Sequence, residues 1–139
     1  MDDVLSRILW AGLLIGVGVG FFLLVNRTIL HRTAGLSRYL PGWQPGRPVI
    51  LYFTTPDCAP CRTIQRPALQ RVQAEWGDRL QVIEVDATRH ADLAKRWGVL
   101  SVPTTFLLDT SGKPRFVNHG VTHAEHLMDQ LRRLSGQAG

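Results

Sequence analysis

The two cysteines of this chain, Cys58 and Cys61, stand three positions apart directly after an apolar run. That run, Val49 to Phe53, is rich in β-branched and aromatic residues and predicts a buried strand, whereas the residues from Arg62 onward predict a helix. Cys58 therefore falls at a helix N-terminus, where unpaired backbone N–H groups and the helix dipole favour thiolate over thiol. A thiolate with a second thiol one turn away can attack a disulfide and then be released by its neighbour. The pattern predicts a dithiol/disulfide exchange site.

Two other functions of the cysteine pair are consistent with the residues. A structural disulfide is one, although small secreted scaffolds normally carry more cysteines, and 139 residues are enough for a core. Half of a zinc site is the other, and its remaining ligands would come from the five histidines, His31, His90, His119, His123 and His126. The strand–turn–helix context favours the redox dithiol, and we predict no metal site.

An apolar segment occupies positions 8–25, after a short flank at 1–7, and contains no charged residue. As a helix at about 1.5 Å per residue, it spans roughly 27 Å, close to a bilayer core of about 30 Å. A secretory signal peptide is the competing interpretation. Its apolar region is usually about 7–15 residues long and precedes a small-residue cleavage site, which is missing before Arg27. We therefore predict a retained transmembrane anchor over 8–25, in contact with membrane lipid.

Three glycines, Gly12, Gly16 and Gly20, fall on one face of this helix. Such spacing lets two membrane helices approach closely. Glycine is also common in membrane helices generally. Homodimerisation through this face is therefore a hypothesis that rests on the spacing alone.

Basic residues are distributed unevenly about the apolar segment. One arginine, Arg7, precedes it, together with two aspartates. Four arginines follow it before the next acidic residue, namely Arg27, Arg32, Arg38 and Arg47. The positive-inside bias predicts a single-pass protein of the cell membrane with its domain on the cytoplasmic side. These arginines also account for most of the net charge of +5, so the basic belt faces anionic lipid and does not indicate a nucleic-acid partner.

The rest of the chain divides into a linker and one domain. Residues 26–47 predict a linker, because Pro and Gly are too dense between Pro41 and Pro48 for regular structure. Residues 48–139 then alternate between strand and helix patterns. Strands are predicted at 49–53, 80–85, 104–108 and 114–119, and helices at 62–76, 91–97 and 122–134, with Pro67 kinking the first helix and Thr122 capping the last. This order predicts an α/β domain with a mixed central sheet and helices on both faces.

Three short motifs follow one another in a specific order. Cys58-Ala59-Pro60-Cys61 comes after a strand, Val102-Pro103-Thr104 opens the next core strand, and Gly120 follows the closing hairpin. In this order and spacing, residues 48–135 resemble the thioredoxin superfamily. The resemblance implies a thioredoxin-like fold, Cys58 as the exposed nucleophile, Cys61 as the buried resolving thiol, and Pro103 as a cis-proline facing the dithiol. It also implies a substrate-binding surface made of Ala59, Pro60, Val102, Pro103 and Gly120.

The chain departs from this family in three respects. The buried acid six residues before the nucleophile is replaced by Tyr52, and the lysine that accompanies it on the next strand corresponds to Val82. The tryptophan before the nucleophile is Asp57, whose carboxylate should oppose thiolate formation at Cys58. The first strand and helix of a full thioredoxin are hard to find between residues 26 and 47, so we expect a domain shortened at its N-terminal end.

Two functional hypotheses follow. The first is a membrane-tethered protein-disulfide reductase that uses the Cys58–Cys61 disulfide and no other cofactor, with protein disulfides as substrates and an electron donor such as a thioredoxin reductase. The second is a non-catalytic docking or redox-sensing module, which the loss of the acid at Tyr52 favours. Within the first hypothesis, a domain outside the cytoplasm that serves cytochrome maturation or oxidative folding is the alternative. Only the arginine distribution argues against it.

Overall fold

The computed structural model of the protein describes the backbone of residues 2–137. Its helices are α1 (Asp2–Thr33), α2 (Arg66–Trp76), α3 (Ala91–Arg96) and α4 (Ala124–Gln137), and its strands are β1 (Val49–Thr54), β2 (Gln81–Asp86), β3 (Thr104–Leu108) and β4 (Pro114–His119). Two short 3₁₀ turns, Leu36–Tyr39 and Gly77–Arg79, and a π-helical turn, Cys61–Gln65, complete the regular structure. The predicted order of strands and helices is confirmed, with small shifts at their ends.

The four strands form one mixed sheet in the order β2-β1-β3-β4. β1 is parallel to β2 and antiparallel to β3, and β3 is antiparallel to β4. Every residue of β1 is buried, because helical segments cover both faces of the sheet. The predicted α/β fold with a mixed sheet is therefore confirmed.

Each face of the sheet has its own apolar core. On the first face, α2 and α4 pack their apolar side chains against Ile50 and Leu107. On the second face, Trp97 from the end of α3 is fully buried between Phe53 and Phe106, with ring centroids 6.4 and 4.9 Å away. Alternate residues of β1 point to opposite faces, so this one strand contributes to both cores.

The π-helical turn lies just before Pro67, where the sequence predicts a kink in the first helix of the domain. Pro67 has no N–H and cannot continue the usual hydrogen-bond ladder. The preceding N–H, of Arg66, bonds to the carbonyl of Cys61, five residues back. The irregularity therefore falls in the turn that contains Cys61.

α1 is longer than the apolar segment predicted from the sequence. It is long and apolar enough to cross a membrane, and its apolar side chains from Val4 to Leu24 are exposed. The helix then continues to Thr33 through residues predicted as linker, and Ile29 packs on the second face of the sheet. The structure differs here from the expectation of a loose tether, because the short domain leaves apolar surface that this helix end covers.

The segment between α1 and β1 is packed against the domain as well. Leu40 is buried in the second core, and Trp43 packs beside it. Gly112, in the β3–β4 turn, has φ +83°, and a Cβ there would lie only 2.5 Å from Ser37 Oγ. Glycine is thus required where this segment crosses the turn. Between residues 2 and 48 no strand precedes β1.

One carboxylate organises the β3–β4 hairpin. Asp109 accepts hydrogen bonds from the N–H and hydroxyl of Ser111 at 3.0 and 2.6 Å, and from the N–H of Lys113 at 3.0 Å. Its second oxygen pairs with Arg115 Nε at 2.8 Å. Burial opposes the charged form, but these hydrogen bonds outweigh burial and hold the pKa of the Asp109 carboxyl below its ordinary value of 3.8.

We expect Asp109→Asn to lower the free energy of unfolding by about 1–2 kcal/mol at neutral pH, because it removes charge-assisted hydrogen bonds. The folded-state pKa is lowered, so the carboxylate stabilises fully above the unfolded-state pKa and stops doing so as pH falls through the folded-state pKa. Wild type and variant should therefore converge in acid. Urea unfolding of the full chain in detergent micelles, between about pH 7 and about pH 2, measures this difference.

The control is Asp129→Asn, which breaks only the exposed pair with Arg133 at 3.0 Å. Such a pair is worth about 0.3–0.5 kcal/mol. A stability difference for Asp109→Asn that stays constant with pH would contradict the role given to the carboxylate.

Candidate active site

The two cysteines lie where β1 gives way to the first helix of the domain. After β1, the chain turns so that the N–H of Cys58 bonds to the carbonyl of Thr55 at 3.2 Å. Helical structure starts at Ala59, and Cys61 lies in the π-helical turn that follows. The two sulfur atoms are 2.02 Å apart, which makes Cys58–Cys61 a disulfide.

The environments of the two sulfur atoms differ. Cys58 is 9% exposed, whereas Cys61 is fully buried in the first core. The backbone N–H of Cys61 donates a hydrogen bond to Cys58 Sγ at 3.2 Å. A backbone N–H at a helix start stabilises a negatively charged sulfur. The same geometry therefore stabilises the Cys58 thiolate once the disulfide is reduced.

Two loops from other strands lie at the same end of the sheet as the dithiol. The Val102–Pro103 peptide bond is cis, as the resemblance implies. The carbonyl of Pro103 accepts a hydrogen bond from the N–H of Gly120 at 2.9 Å, which joins the two loops. Gly120 has φ +84°, a conformation that favours glycine. Val102 packs against the core that contains both cysteines.

The remaining predicted site residues, Ala59 and Pro60, are exposed beside Cys58. Asp57 is exposed on the other side of it. The structure thus brings all seven predicted site residues to one end of the domain. Their roles in substrate binding stay predictions.

Sequence reasoning missed a buried glutamine beside this site. Gln65 is fully buried, its Nε2 donates to the carbonyl of Thr122 at 3.0 Å, and its Oε1 accepts from the N–H of Thr122 at 2.8 Å. This two-point contact holds the chain that follows Gly120 against the helix that follows Cys61. The available signal was a polar residue one turn after Cys61, on the face that carries Leu69.

The same contact corrects the prediction that Thr122 caps the last helix. α4 begins at Ala124, and its first turn is closed by the bond from the Leu127 N–H to the carbonyl of His123. Thr122 lies before that turn, where Gln65 binds both of its backbone polar groups. The Thr122 hydroxyl, which would have made the cap, donates to the carbonyl of Gly120 at 3.5 Å.

The position of the family's buried acid has a different chemistry here. Tyr52 is fully buried, and its hydroxyl donates to the carbonyl of Cys61 at 3.3 Å. Burial raises the pKa of the Tyr52 hydroxyl, and a hydrogen bond with Thr54 offsets part of that effect. Tyr52 is therefore a neutral hydrogen-bond donor at neutral pH.

The strand register corrects the residue expected at the family's lysine position. Tyr52 lies opposite Glu84 on β2, and not opposite Val82. Glu84 pairs with Arg66 at 2.9 Å, and both side chains are about half exposed. The position beside Tyr52 is thus occupied by an ion pair at the surface.

The two sulfur atoms that the zinc alternative would use as ligands are joined to each other in the disulfide. Among the residues that the structure describes, no group of three or more His, Cys, Asp or Glu side chains is arranged to hold a metal ion. His119 instead lies 3.2 Å from Asn26 Oδ1.

Comparison with known proteins places this site in a family. Residues 43–133 match the family model described as Thioredoxin. Chloroplastic thioredoxin Y of Oryza sativa subsp. japonica is 32% identical over 85 residues, which cover 61% of this chain and 49% of that protein. The thioredoxin of Bacillus subtilis (strain 168) is 35% identical over 60 residues, 43% of this chain and 57% of that protein. The chain thus spans about half the length of these relatives.

A solved structure shows the same fold. The oxidized form of mitochondrial thioredoxin 3 from Saccharomyces cerevisiae superposes with a TM-score of 0.59 at 18% identity, over 70% of this chain and 89% of that chain.

We expect Gln65→Leu to destabilise the folded chain by about 2 kcal/mol, because it leaves the buried N–H and carbonyl of Thr122 without a partner. It should also loosen the segment after Gly120 and slow disulfide reduction. The control is Gln70→Leu, an exposed position on the next turn of the same helix, which should leave stability within about 0.5 kcal/mol of wild type. Urea unfolding of the full chain in detergent measures both, and equal midpoints for the two variants would rule out the contact as a stabilising feature.

Proposed function

The chain belongs to the thioredoxin family, and on that basis we propose that it is a membrane-tethered thiol–disulfide oxidoreductase that reduces protein disulfides. The observation that carries the proposal is the asymmetric Cys58–Cys61 pair at a helix start, with Cys58 9% exposed and Cys61 fully buried. Exchange needs this asymmetry, because a substrate must reach one sulfur while the other stays shielded until the mixed disulfide forms.

The proposed reaction has two steps. The Cys58 thiolate attacks one sulfur of a substrate disulfide, so that a mixed disulfide forms and the other substrate sulfur leaves as a thiolate that takes up a proton. Cys61 then loses its proton and attacks Cys58 Sγ, which breaks the bond to the substrate and releases its second thiol. The substrate gains two electrons and two protons, and the Cys58–Cys61 disulfide is formed. An external dithiol donor, in our proposal a thioredoxin reductase, returns the two electrons.

Substrate binding is assigned to the two loops beside the dithiol. An extended substrate segment would lie along Val102 and Pro103, with Ala59 and Pro60 on one side and Gly120 on the other. The hydrogen bond between Gly120 and Pro103 supports this assignment, because it fixes the two loops relative to each other. Backbone pairing at this position would explain acceptance of many protein sequences.

A non-catalytic docking or redox-sensing module is the second candidate, and Tyr52 is the observation that favours it. The second step requires deprotonation of Cys61, and the Tyr52 hydroxyl bonds to the carbonyl of Cys61 and not to its sulfur. Tyr52 would orient Cys61 without accepting its proton. A slow second step would suit a sensor that holds its partner longer.

The membrane anchor is assigned to residues 8–25 within α1, whose exposed apolar side chains support it. We place the domain on the cytoplasmic side, because Arg27, Arg32 and Arg38 follow the apolar segment and Arg7 alone precedes it. A reducing compartment would keep the dithiol reduced between turnovers.

We expect the wild-type chain in detergent to accelerate the reduction of insulin by dithiothreitol, followed as turbidity. Cys58→Ser and Cys61→Ser should both return the rate to that of dithiothreitol alone. Pre-reduced Cys61→Ser, mixed with insulin after the dithiothreitol has been removed, should accumulate a mixed disulfide visible on a non-reducing gel, because Cys58 can attack but no second thiol releases it. A wild-type chain no faster than dithiothreitol would favour the docking or sensing alternative.

Sidedness has its own test. We expect a reporter that is active only after export, fused to the C-terminus, to stay inactive in intact cells, and a reporter active only in the cytoplasm to be active. A variant with the charges exchanged combines Arg27→Glu and Arg32→Glu with added arginines before residue 8. We expect this variant to export the reporter. Strong export activity of the unaltered fusion would make the extracytoplasmic alternative the better one.

A further inference from the structure

One edge of the sheet carries the whole candidate site. Thr104 pairs with both Phe53 and His119, so β1 ends, β3 begins and β4 ends at the same edge. The dithiol, the cis-proline and the glycine turn directly adjoin these strand ends, and we call this the active-site edge. The opposite edge carries the β3–β4 turn with Gly112.

The last turns of α1 run along the domain from the active-site edge to the opposite edge. Asn26 contacts His119 at the end of β4, and Phe22 shares a cavity of about 430 Å³ with the same histidine. Ser37, just beyond the end of α1, packs on Gly112 at the opposite edge. Followed back toward its N-terminus, α1 therefore leaves the domain at the active-site edge.

The apolar segment of α1 ends where the helix meets the domain, because Phe22 and Val25 in its last turn each line a cavity with domain residues. Val25 closes that segment and Asn26 follows it, a step of about 1.5 Å along the helix axis. The hydrocarbon boundary of a bilayer would thus lie level with the active-site edge. Adjacent strands are about 4.8 Å apart, so β1, two strands across from β4, ends roughly 10 Å to the side of the helix. At that level Cys58 would lie within the headgroup layer, which is roughly 5–8 Å thick.

Surface chemistry near this edge suits a bilayer. Leu100, in the loop that leads into Pro103, is 90% exposed. Lys95 and Arg96 line a cavity together with the part of α1 between Leu24 and Thr33. A surface that carries both exposed apolar side chains and cations favours anionic lipid headgroups over bulk water.

We infer that the dithiol faces the bilayer, and that its substrates are disulfides held within a few residues of a membrane span in integral membrane proteins. This inference rests on the proposed function, since it needs both the membrane anchor and dithiol exchange. A disulfide close to the bilayer surface meets Cys58 by lateral diffusion. A disulfide on a large soluble protein is blocked, because the bilayer occupies the space in front of the active-site edge.

The orientation is tested with the full chain in vesicles of phosphatidylcholine and phosphatidylglycerol. Both native cysteines are replaced by serine, and a single new cysteine, Leu100→Cys or Lys113→Cys, carries a fluorescent nitrobenzoxadiazole label. Leu100 lies in the active-site loop and Lys113 at the opposite edge. We expect lipids spin-labelled near the headgroup to quench the Leu100 probe several-fold more than the Lys113 probe, and equal quenching overturns the inference.

A matched variant separates the helix from the domain surface. A flexible insertion of about ten Gly and Ser residues between Val25 and Asn26 leaves residues 26–33 docked but uncouples them from the anchor. We expect the difference between the two probes to be lost. A preserved difference would show that α1 does not set the orientation, and would overturn the argument from the Asn26–His119 contact.

Substrate preference is tested in the same vesicles with the pre-reduced wild-type chain. Two single-span peptides carry the same disulfide loop, one about 3 residues from the span and the other about 25 residues away on a flexible linker that reaches roughly 25–30 Å. We expect the near disulfide to be reduced at least about tenfold faster, because only it shares the layer that Cys58 faces. The Gly/Ser insertion should remove this preference.

The outcomes separate this inference from the proposed function. A chain that reduces neither peptide nor insulin refutes the exchange activity, and a chain that does not float with the vesicles refutes the anchor. A floating, active chain that reduces the far disulfide as fast as the near one refutes only the bilayer-facing site.

Discussion

The burial of β1 on both faces is the constraint on which the rest of the structure depends. This strand contributes alternate side chains to two separate cores, and neither face can be left in contact with water. α2 and α4 cover the first face. On the second face α3 is short, and in residues 2–48 no strand precedes β1 to extend the sheet. The last turns of α1 and the segment through Trp43 complete that layer.

This arrangement gives the end of α1 two functions in our proposal. The same helix that would cross the bilayer also closes the second core, so anchor and domain share one continuous element. A flexible tether would leave the domain free to rotate, whereas Ile29 on the second core and the Asn26–His119 contact hold one orientation. The orientation matters because the contact adjoins Gly120 at the active-site edge.

The active-site edge is held together by a small number of polar contacts among loops. The Cys61 N–H supports Cys58 Sγ, the Gly120 N–H joins the Pro103 loop, and Gln65 binds both backbone groups of Thr122. Buried backbone groups of this kind are costly when unpaired, so these contacts keep the loops in register with the dithiol. The Tyr52 bond to the Cys61 carbonyl adds rigidity on the core side.

The sequence by itself determined the elements and the chemistry that depend on local pattern. Residue periodicity and turn residues predict the strand before Cys58, the helix after Cys61 and the hairpin that ends at Gly120. The length of the apolar segment in α1 is also evident from the sequence. The cysteine spacing placed the dithiol at a helix start because that geometry spans only four residues. The cis-proline at Pro103 came from the family resemblance.

The tertiary structure decided what depends on surfaces that the fold leaves uncovered or brings into register. Gln65 finds Thr122 57 residues away, and the strand register puts Glu84 beside Tyr52. The composition of residues 26–47 lacks a regular pattern and predicts a linker. These residues nevertheless pack against the domain, because the second face of the sheet has apolar area to bury. Local sequence does not encode that need, since it arises only after the sheet has formed and the short α3 leaves part of that face uncovered.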